Sequence, residues 1–298
     1  MKALCIGNVA YDFTMPMDSY PKENIKYRVE NAVSCGGGPA SNAAYLLSLW
    51  KVNTYFAGVI GNDDNGKKIK DEFKKVNVNT KFLEIDKEND TAMSFILINS
   101  KNGSRTIFTK RSIKMKLTKE INIKPDLILV DGQELEASKK VIENNPGAIT
   151  IIVAGRVKEE TITLAKMVDY VVCSKDFAEE YTKIKINLKD KEVLNKIYEI
   201  LEKEFKNVII TVEEKGALYK KDNVVKLVPT IDTKEVDTTG AGDIFHGAFA
   251  YCLLKKYDIE KCIRIANIAG AISVTRLGGR YSVPSLKEVM STYKKCLK

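Results

Sequence analysis

The chain has very little histidine, little arginine and no long hydrophobic run. It contains one histidine, His246, and seven arginines among 298 residues. A single histidine excludes metal sites built from two or three imidazoles and excludes histidine relays, and a Ser-His-Asp triad would have to use His246. No apolar stretch approaches the roughly 20 residues that a membrane-spanning helix needs, so we expect a cytoplasmic protein with no membrane partner.

Cysteine and charge argue against two further classes of protein. The six cysteines show no C-x-x-C pair and no regular spacing, which indicates scattered reduced thiols. The net charge is +9, but 41 of the 48 basic residues are lysine. Nucleic-acid-binding surfaces favour arginine-rich patches interleaved with aromatic residues, so we interpret the lysine excess as a solvated surface and expect no nucleic-acid partner. A local preference for anionic ligands stays open.

Short apolar runs alternate with amphipathic segments along most of the sequence. Amphipathic helices are predicted at Asn65–Val76 and Asp190–Phe205, among others. Six apolar runs have the length and residue types of buried strands: Lys2–Ile6, Tyr55–Val59, Asp126–Val130, Ile149–Val153, Tyr170–Cys173 and Val208–Val212. This alternation predicts an α/β fold whose mainly parallel sheet is covered by helices on both faces.

Two stretches interrupt the alternation. Residues 13–33 contain two prolines and no helical stripe, and residues 91–111 carry two alternating strands around an Asn-Gly turn, which indicates a hairpin. Strands outside the main pattern predict a small separate sheet that forms a lid over a ligand cleft. We therefore predict a main α/β unit of residues 1–12, 34–90 and 112–298, and a lid of residues 13–33 and 91–111.

The segment Asp237-Thr238-Thr239-Gly240-Ala241-Gly242-Asp243 is the most informative one for chemistry. Small residues at 240–242 allow a tight turn at the start of an apolar helix, whose free N–H groups and dipole favour a phosphate group. Asp243 lies in the same turn, where a carboxylate could accept the proton of an attacking hydroxyl. An anion hole next to a base suits phosphoryl transfer to an alcohol. Taken alone, the segment favours the simpler interpretation of a glycine-rich turn with Asp at a helix start.

A second glycine-rich segment, Cys35-Gly36-Gly37-Gly38-Pro39, precedes a helix that is predicted to reach Trp50. Bare backbone can approach a polyhydroxylated ligand closely, and Asn42 offers a donor and an acceptor to hydroxyl groups. A flexible loop followed by a helix is the alternative. The sequence has no Walker A motif and no Gly-x-Gly-x-x-Gly after the first strand, which argues against a P-loop and a dinucleotide site.

Together the two segments resemble the motifs of the PfkB (ribokinase-like) family of carbohydrate kinases, and weaker family features extend the resemblance from Leu4 to about Val289. The resemblance implies a ribokinase-like three-layer α/β/α sandwich with a mainly parallel central sheet and a small β-sheet lid. It implies ATP-dependent phosphorylation of a primary hydroxyl of a small sugar, with Mg²⁺ accompanying ATP. It also implies a homodimer formed through the lid, where unpaired strand edges invite a partner.

The resemblance assigns roles to individual residues. Asp243 would be the catalytic base, and Gly240, Ala241 and Gly242 would form the anion hole. The sugar would be held by Asp12, Gly37, Gly38 and Asn42, with Asp131 as a further candidate. Thr211 and Gly216 would lie near the ATP phosphates, and Asn267 near the adenine. A monovalent cation such as K⁺ would be held by oxygens around Asp237, Thr239, Ser273, Arg276, Gly278 and Ser282.

Three departures from the family pattern bear on metal and substrate. The family's Asn-x-x-Glu, which organises magnesium, is Ser174-Lys175-Asp176-Phe177 here, a form similar to the ketohexokinase/fructokinase-related branch. Mg²⁺ would then be held otherwise, with Glu179 or Glu180 as candidates. Glu213 stands where a glycine is common. Ala10 stands where ribokinases carry an asparagine that helps hold ribose, so a ketose or a modified sugar is favoured.

Several alternatives stay open. Arg105, Lys110 and Arg111 on the predicted lid could bind an anionic group on the sugar, although alternating strands place charges outward by default. A nucleoside kinase of the same fold would share these motifs. The loss of Asn-x-x-Glu also admits a non-catalytic sugar- or nucleotide-binding protein. His246 follows Asp243 on the same helix, and we expect it to pack or form hydrogen bonds rather than act as a second base.

Overall fold

A nine-stranded sheet forms the centre of the molecule. The computed structural model describes residues 1–297. The strands of this sheet are β1 (Lys2–Ile6), β4 (Asn53–Gly61), β5 (Asn79–Asp86), β8 (Leu127–Val130), β9 (Ile149–Ala154), β10 (Tyr170–Ser174), β11 (Val208–Thr211), β12 (Ala217–Lys221) and β13 (Val224–Val228). Their order is β13-β12-β11-β10-β9-β8-β1-β4-β5. All neighbours from β11 to β5 are parallel, while β12 and β13 add an antiparallel edge.

Helices cover both faces of this sheet, as predicted. They are α1 (Pro39–Leu49), α2 (Asp64–Lys75), α3 (Leu135–Glu143), α4 (Glu159–Ala165), α5 (Lys175–Thr182), α6 (Lys191–Leu201), α7 (Ala241–Leu254), α8 (Ile259–Ser273) and α9 (Leu286–Cys296). Side chains alternate along β1: Ala3 and Cys5 join one apolar cluster, Leu4 and Ile6 the other. Because both faces are buried, the strand is a continuous apolar run. Within residues 1–297, no helix has the length and apolar character that crossing a membrane requires.

Local sequence explains where several helices begin. The side chains of Asp63, Ser174 and Asp190 each accept a hydrogen bond from a backbone N–H in the first turn of the helix that follows. The predicted helices at Asn65–Val76 and Asp190–Phe205 correspond to α2 and α6, and the latter ends four residues early. Strands β5, β12 and β13 and helices α3 to α5 were not part of the sequence prediction.

A small sheet of four strands lies apart from the central one. It contains β2 (Ala10–Met17), β3 (Val33–Gly37), β6 (Met93–Asn99) and β7 (Arg105–Lys110) in the order β3-β2-β6-β7. The predicted hairpin is β6 and β7, which pair antiparallel. The predicted unit boundaries at residues 12 and 34 fall inside β2 and β3. The division into two units stays a prediction, and Lys298, the last residue of the predicted main unit, lies outside the described residues.

Candidate active site

The first turn of α7 opens onto free space. Gly240 caps the helix in the left-handed conformation, with φ 76°, and a Cβ there would lie 3.3 Å from the Cα of Gly279. Gly242 is exposed, and no atom lies within 4 Å of the place where its Cβ would be. The N–H of Ala241 donates to the carbonyl of Thr238 at 3.4 Å, while the other N–H groups at the start of this 14-residue helix face a space that an anion can enter.

Asp243 projects from this turn and is held by Asn42 of α1. The Asn42 Nδ2 donates a hydrogen bond of 2.8 Å to Asp243 Oδ2. Burial raises the pKa of Asp243 to about 6, and the charges of Asp12 and Asp131 add to that rise, while the Asn42 hydrogen bond and the Arg105 charge oppose it. The buried Oδ1 of Asn42 has no partner within the described chain. The pair can therefore receive a hydroxyl group and take its proton near neutral pH.

Gly36 and Gly37 make room for side chains of the protein itself. A Cβ on Gly37 would lie 1.9 Å from Oδ2 of Asp12, and a Cβ on Gly36 would lie 2.0 Å from Nη1 of Arg280. The sequence suggested that this bare backbone approaches a ligand, and the structure shows that it first approaches Asp12 and Arg280. Gly38, with φ 99°, precedes α1. The sugar-binding roles of Gly37 and Gly38 stay predictions.

Asp12 is a buried carboxylate and Asp131 a half-buried one, and their surroundings differ. Asp12 lies on β2, where burial raises its pKa to about 6 and a hydrogen bond from Ser94 partly opposes the rise. Asp131 follows β8, and its carboxylate accepts hydrogen bonds from the backbone N–H groups of Asn8, Ala40 and Gln133. Burial raises the pKa of Asp131 as well. Asp131 thus joins the ends of β1 and β8 to α1, and its role as a sugar ligand stays a prediction.

Arg105 links the tip of the β6–β7 hairpin to the anion-hole segment. Its Nη1 donates to Thr238 Oγ1 at 2.8 Å, and that hydroxyl donates to the carbonyl of Gly103 at 3.0 Å. The positive charge of Arg105 acts on Asp243 and favours its ionised form. The small sheet is therefore closed against the segment that carries the candidate base.

Arg111 and Lys110 already have acidic partners. Arg111 donates to Asn8 Oδ1 at 2.7 Å and forms an ion pair of 3.1 Å with Glu134, whose side chain is only 5% exposed. Lys110 forms an exposed pair of 3.0 Å with Asp90. Their charges are balanced within the protein, which leaves them less available for an anionic ligand.

The three predicted ATP-binding residues lie at the end of β11, just before β12 and in the middle of α8. Thr211 ends β11, and its hydroxyl donates to the carbonyl of Cys173 at 3.3 Å. Gly216 has φ 109°, and a Cβ there would lie 2.1 Å from the carbonyl oxygen of Val228. Asn267 donates from Nδ2 to that same carbonyl at 2.8 Å. Asn267 thus holds the chain after β13, and its contact with adenine stays a prediction.

The residues that replace Asn-x-x-Glu do not form a metal site. Ser174 Oγ accepts from the N–H of Phe177 at 3.0 Å and donates to the carbonyl of Gly155 at 2.8 Å. Phe177 is fully buried in the apolar core. Glu179 accepts from Lys185 at 2.6 Å. Among residues 1–297, no three His, Cys, Asp or Glu side chains are grouped to hold a metal ion.

The predicted monovalent-cation residues are partly brought together. Asp237 is buried, and its carboxylate accepts from the N–H groups of Thr239 and Gly278, each at 2.8 Å. The buried Oγ1 of Thr239 has no partner in the described chain, so a carboxylate and an orphaned hydroxyl oxygen stand together, as a cation would require. The other predicted side chains bond elsewhere: Ser273 to Gly270, Arg276 to Glu288 and Ser282 to Gly279.

His246 connects the anion-hole turn to the central sheet. Its Nε2 lies 3.0 Å from the carbonyl oxygen of Val172 on β10, and its Nδ1 contacts the carbonyl oxygen of Gly242. Burial lowers the pKa of His246. The residue therefore has the hydrogen-bonding role expected from the sequence.

A buried ion pair between Glu72 and Arg280 lies behind the glycine segment, and the sequence analysis missed it. Arg280 Nη1 lies 2.8 Å from Glu72 Oε2, and Arg280 Nη2 contacts Ser41 Oγ. The N–H of Gly36 donates to Glu72 Oε2 at 2.9 Å. The guanidinium also lies 4.8 Å from the ring centroid of Phe73. This pair joins α2, β3 and the loop that follows α8.

Comparison with known proteins gives matches over nearly the whole chain. The model of the family described as pfkB family carbohydrate kinase matches residues 1–286. A ribokinase of Staphylococcus aureus is 28% identical over 300 residues, covering 97% of this chain and 98% of that protein. A nucleoside kinase of Methanocaldococcus jannaschii is 23% identical over 305 residues, covering 99% and 97%. The crystal structure of a putative ribokinase from Agrobacterium tumefaciens superposes with a TM-score of 0.89 at 23% identity, covering 99% and 98%.

Proposed function

Because the chain belongs to the pfkB family of carbohydrate kinases, we propose that it transfers the γ-phosphoryl group of ATP to a primary hydroxyl of a small neutral sugar. The family makes the protein a phosphotransferase that acts on an alcohol group. The observation that carries the proposal is the contact between Asp243 and Asn42 next to the open first turn of α7. A base and an anion hole lie in the first turn of α7, and a hydroxyl-binding amide from α1 contacts the base.

Two parts of this site perform different tasks: the side chain of Asp243 takes up the proton, and the backbone of residues 240–242 stabilises negative charge. The Asp243 carboxylate accepts the proton of the substrate hydroxyl while that oxygen bonds to the γ-phosphorus and the bond from phosphorus to the ADP oxygen breaks. The N–H groups at 240–242 stabilise the negative charge on the phosphoryl oxygens. The charge of Arg105 lowers the pKa of Asp243 and so helps to keep its carboxylate ionised, the form that can accept a proton.

Charge favours a neutral substrate over a sugar phosphate. Asp12, Asp131 and Asp243 are buried or partly buried carboxylates, and the charges of Asp12 and Asp131 raise the pKa of Asp243. The cation of Arg111 is already balanced by Glu134. An anionic sugar would therefore enter a region where negative charge is in excess. A polyhydroxylated ligand can instead donate hydrogen bonds to the carboxylates.

A ketose or a modified sugar is favoured over ribose. Ala10 is buried on β2 opposite Gly37, so a methyl group occupies the position where the family's ribokinases have an amide. One hydrogen bond to the sugar is lost there and some space is gained, which suits a substrate with a different substituent. The Ser174-Lys175-Asp176 form is similar to the ketohexokinase/fructokinase-related branch and supports the same choice.

A nucleoside kinase is the second candidate, and Ile107 is the observation that favours it. Ile107 is 46% exposed and lies on the same face of β7 as Arg105, which contacts Thr238. It therefore presents an apolar surface toward the central sheet, where a base could pack. One of the similar proteins is a nucleoside kinase.

ATP would carry Mg²⁺ into the site, and a monovalent cation such as K⁺ would be held by Asp237 and Thr239. The residues at the end of β10 do not fit a preformed magnesium site, so no step is assigned to that metal. A cation beside Asp237 would neutralise its buried carboxylate, which now accepts only backbone hydrogen bonds.

Phosphorylation assays across substrate classes test this function. With ATP as donor, we expect ADP release to be fastest with a neutral ketose or modified sugar, slower with ribose and nucleosides, and negligible with sugar phosphates. The fastest turnover with adenosine or inosine would establish the second candidate. Calorimetric binding of a sugar without turnover would point to a non-catalytic binding protein. No ADP release with any sugar or nucleoside contradicts the proposal.

A homodimer formed through the small sheet accompanies this function. Phe13 stacks on Phe95 with ring centroids 5.4 Å apart, and Phe108 lies opposite Phe95 on β7. Phe95 and Phe108 are 41% and 53% exposed. Neighbouring aromatic rings left this exposed form an apolar patch of the kind that mediates association.

Sedimentation velocity tests the dimer. We expect a dimer for the unchanged chain and a monomer for Phe108→Lys, because a charge in the apolar patch would be desolvated on association. Lys101→Glu, a charge change outside this patch, serves as the control and should leave the dimer intact. A monomeric unchanged chain at micromolar concentration contradicts the proposal.

A further inference from the structure

Exposed charged residues follow three neighbouring strands of the central sheet, and no role described above uses them. Strands β9, β10 and β11 are adjacent and parallel, so the residues after them share one edge of the sheet. Arg156 follows β9, Lys175 and Asp176 follow β10, and Glu213 follows β11. These four residues are called the charged rim.

The charged rim consists of two ion pairs that are open to solvent. Arg156 Nη2 lies 2.9 Å from Asp176 Oδ2, and the two side chains are 66% and 53% exposed. Lys175 Nζ lies 3.6 Å from Glu213 Oε2, with exposures of 37% and 68%. Exposed pairs of this kind contribute at most about 1 kcal/mol. A more strongly charged ligand can therefore take either cation from its carboxylate.

The backbone around the charged rim is fixed and partly strained. Ser174 Oγ binds both Gly155 and Phe177, which locks the end of β10 to the loop after β9. Glu213 has φ 53°, a left-handed conformation that costs a residue with a side chain free energy. No atom lies within 4 Å of a Cβ placed on Gly155. Space beside the charged rim is therefore available to a ligand. The backbone of the rim residues is already ordered before a ligand binds.

The charged rim also lies near the anion hole. His246 bridges the carbonyl of Gly242, in the first turn of α7, and the carbonyl of Val172 on β10. Val172 is two residues before Ser174, after which the rim begins. Thr211, the predicted phosphate contact, pairs with Ser174 at the ends of β11 and β10. A chain of phosphates that starts at the anion hole can therefore extend along this edge.

We infer that Arg156 and Lys175 bind the β- and γ-phosphates of the nucleotide. Their positive charges would take the place of the metal charge that the family's glutamate positions at this edge. The inference rests on the proposed function. Phe177 is buried where the family pattern has Glu, so that position carries no carboxylate to organise a metal. Guanidinium and ammonium groups form strong charge-assisted hydrogen bonds with phosphate oxygens. Asp176 and Glu213 hold the two cations in place until the phosphates displace them.

Calorimetric titrations of Arg156→Gln and Lys175→Gln test this inference without relying on turnover. The probes are ATP, AMP and inorganic tripolyphosphate, each in the presence of EDTA. We expect each substitution to raise the Kd for ATP and for tripolyphosphate roughly tenfold, as the loss of one charge-assisted contact would. The Kd for AMP should change less than twofold, because AMP lacks the two phosphates concerned. Asp176→Asn should lower the Kd for metal-free ATP about twofold to threefold, because it removes a competitor for Arg156.

Lys166→Gln is the matched control. Lys166 forms an equally exposed ion pair of 2.9 Å with Glu204, but it precedes β10 and therefore lies at the opposite edge of the sheet. The inference is overturned if both rim variants bind ATP as tightly as the unchanged chain. It is also overturned if the rim variants bind AMP as weakly as they bind ATP, or if Lys166→Gln weakens ATP binding as much as they do. If the unchanged chain phosphorylates a sugar while the rim variants bind ATP normally, this inference alone fails. If tripolyphosphate binding depends on the rim but no sugar or nucleoside is phosphorylated, the inference stands and the proposed function fails.

Discussion

Replacing Asp243 by asparagine is expected to lower kcat by about 10²- to 10⁴-fold, the range that a positioned general base contributes. Asparagine keeps the shape of the side chain and can still accept the hydrogen bond from Asn42, which is 2.8 Å long in the unchanged protein. It cannot accept the substrate proton. ATP affinity should stay within a factor of two, because the N–H groups of residues 240–242 are unchanged. Steady-state kinetics and calorimetry measure the two effects separately.

The assignment of Asp243 as the base also predicts how kcat/KM falls at acidic pH. Burial raises the pKa of Asp243 to about 6, so the carboxylate becomes protonated below that pH and can no longer act as a base. We expect kcat/KM to fall about tenfold per pH unit below pH 6 and to level off above pH 7. Asp12 titrates in the same range, so the Asp12→Asn variant is needed to show which carboxylate sets the limb. The limb should persist in that variant.

Stability gives an independent check on Asp243. Its raised pKa means that the folded state binds a proton more readily than the unfolded state between about pH 4 and pH 6. The corresponding stability is present at low pH and is lost as the pH rises through the folded pKa. At pH 7.5 the ionised carboxylate is thus unfavourable, and Asp243→Asn should stabilise the fold by on the order of 2 kcal/mol. Near-normal turnover in this variant contradicts the base assignment, and a lower melting temperature at pH 7.5 contradicts the burial argument.

Features set by short stretches of chain could be predicted from the sequence. The β6–β7 hairpin follows from alternating residues around Asn102-Gly103, and the start of α7 follows from the small residues at 240–242. The buried strands of the central sheet are visible because each is apolar on both faces. Strands β12 and β13 were not predicted from the sequence because they form an antiparallel edge, where charged residues interrupt the apolar pattern.

Features that depend on distant parts of the chain could not be predicted in the same way. Glu72 lies within a lysine-rich helical segment that has the composition of a solvated face, yet it is buried against Arg280, 208 residues further along. Gly36 belongs to a segment that suggests a ligand-binding loop, but its missing side chain accommodates Arg280. Arginine use was the available signal. Arg280 is one of seven arginines in a chain with 41 lysines, and its planar guanidinium contacts both Glu72 and Ser41.

Removing one partner of the buried pair of Glu72 and Arg280 is expected to destabilise the fold more than breaking any other ion pair described here. Arg280→Met removes the cation and leaves the Glu72 carboxylate buried with only the N–H of Gly36 as a donor. Breaking a buried pair on one side costs about 3–5 kcal/mol. For a chain of this size, we expect the melting temperature to fall by roughly 10 °C. Differential scanning calorimetry at pH 7.5 measures the change.

Two control variants separate the buried charge from loss of packing. The double variant Glu72→Met/Arg280→Met replaces both charges by apolar side chains and should recover at least half of the loss, because no unpaired charge remains. Lys67→Met breaks an ion pair on the same helix, the 3.0 Å contact with Asp64, whose side chains are 70% and 86% exposed. That change should cost less than about 1 kcal/mol. If Arg280→Met is no more destabilising than Lys67→Met, the pair does not hold β3 and α2 together. If the double variant is as unstable as Arg280→Met, the loss comes from packing around Tyr45 and Phe73 rather than from an unpaired carboxylate.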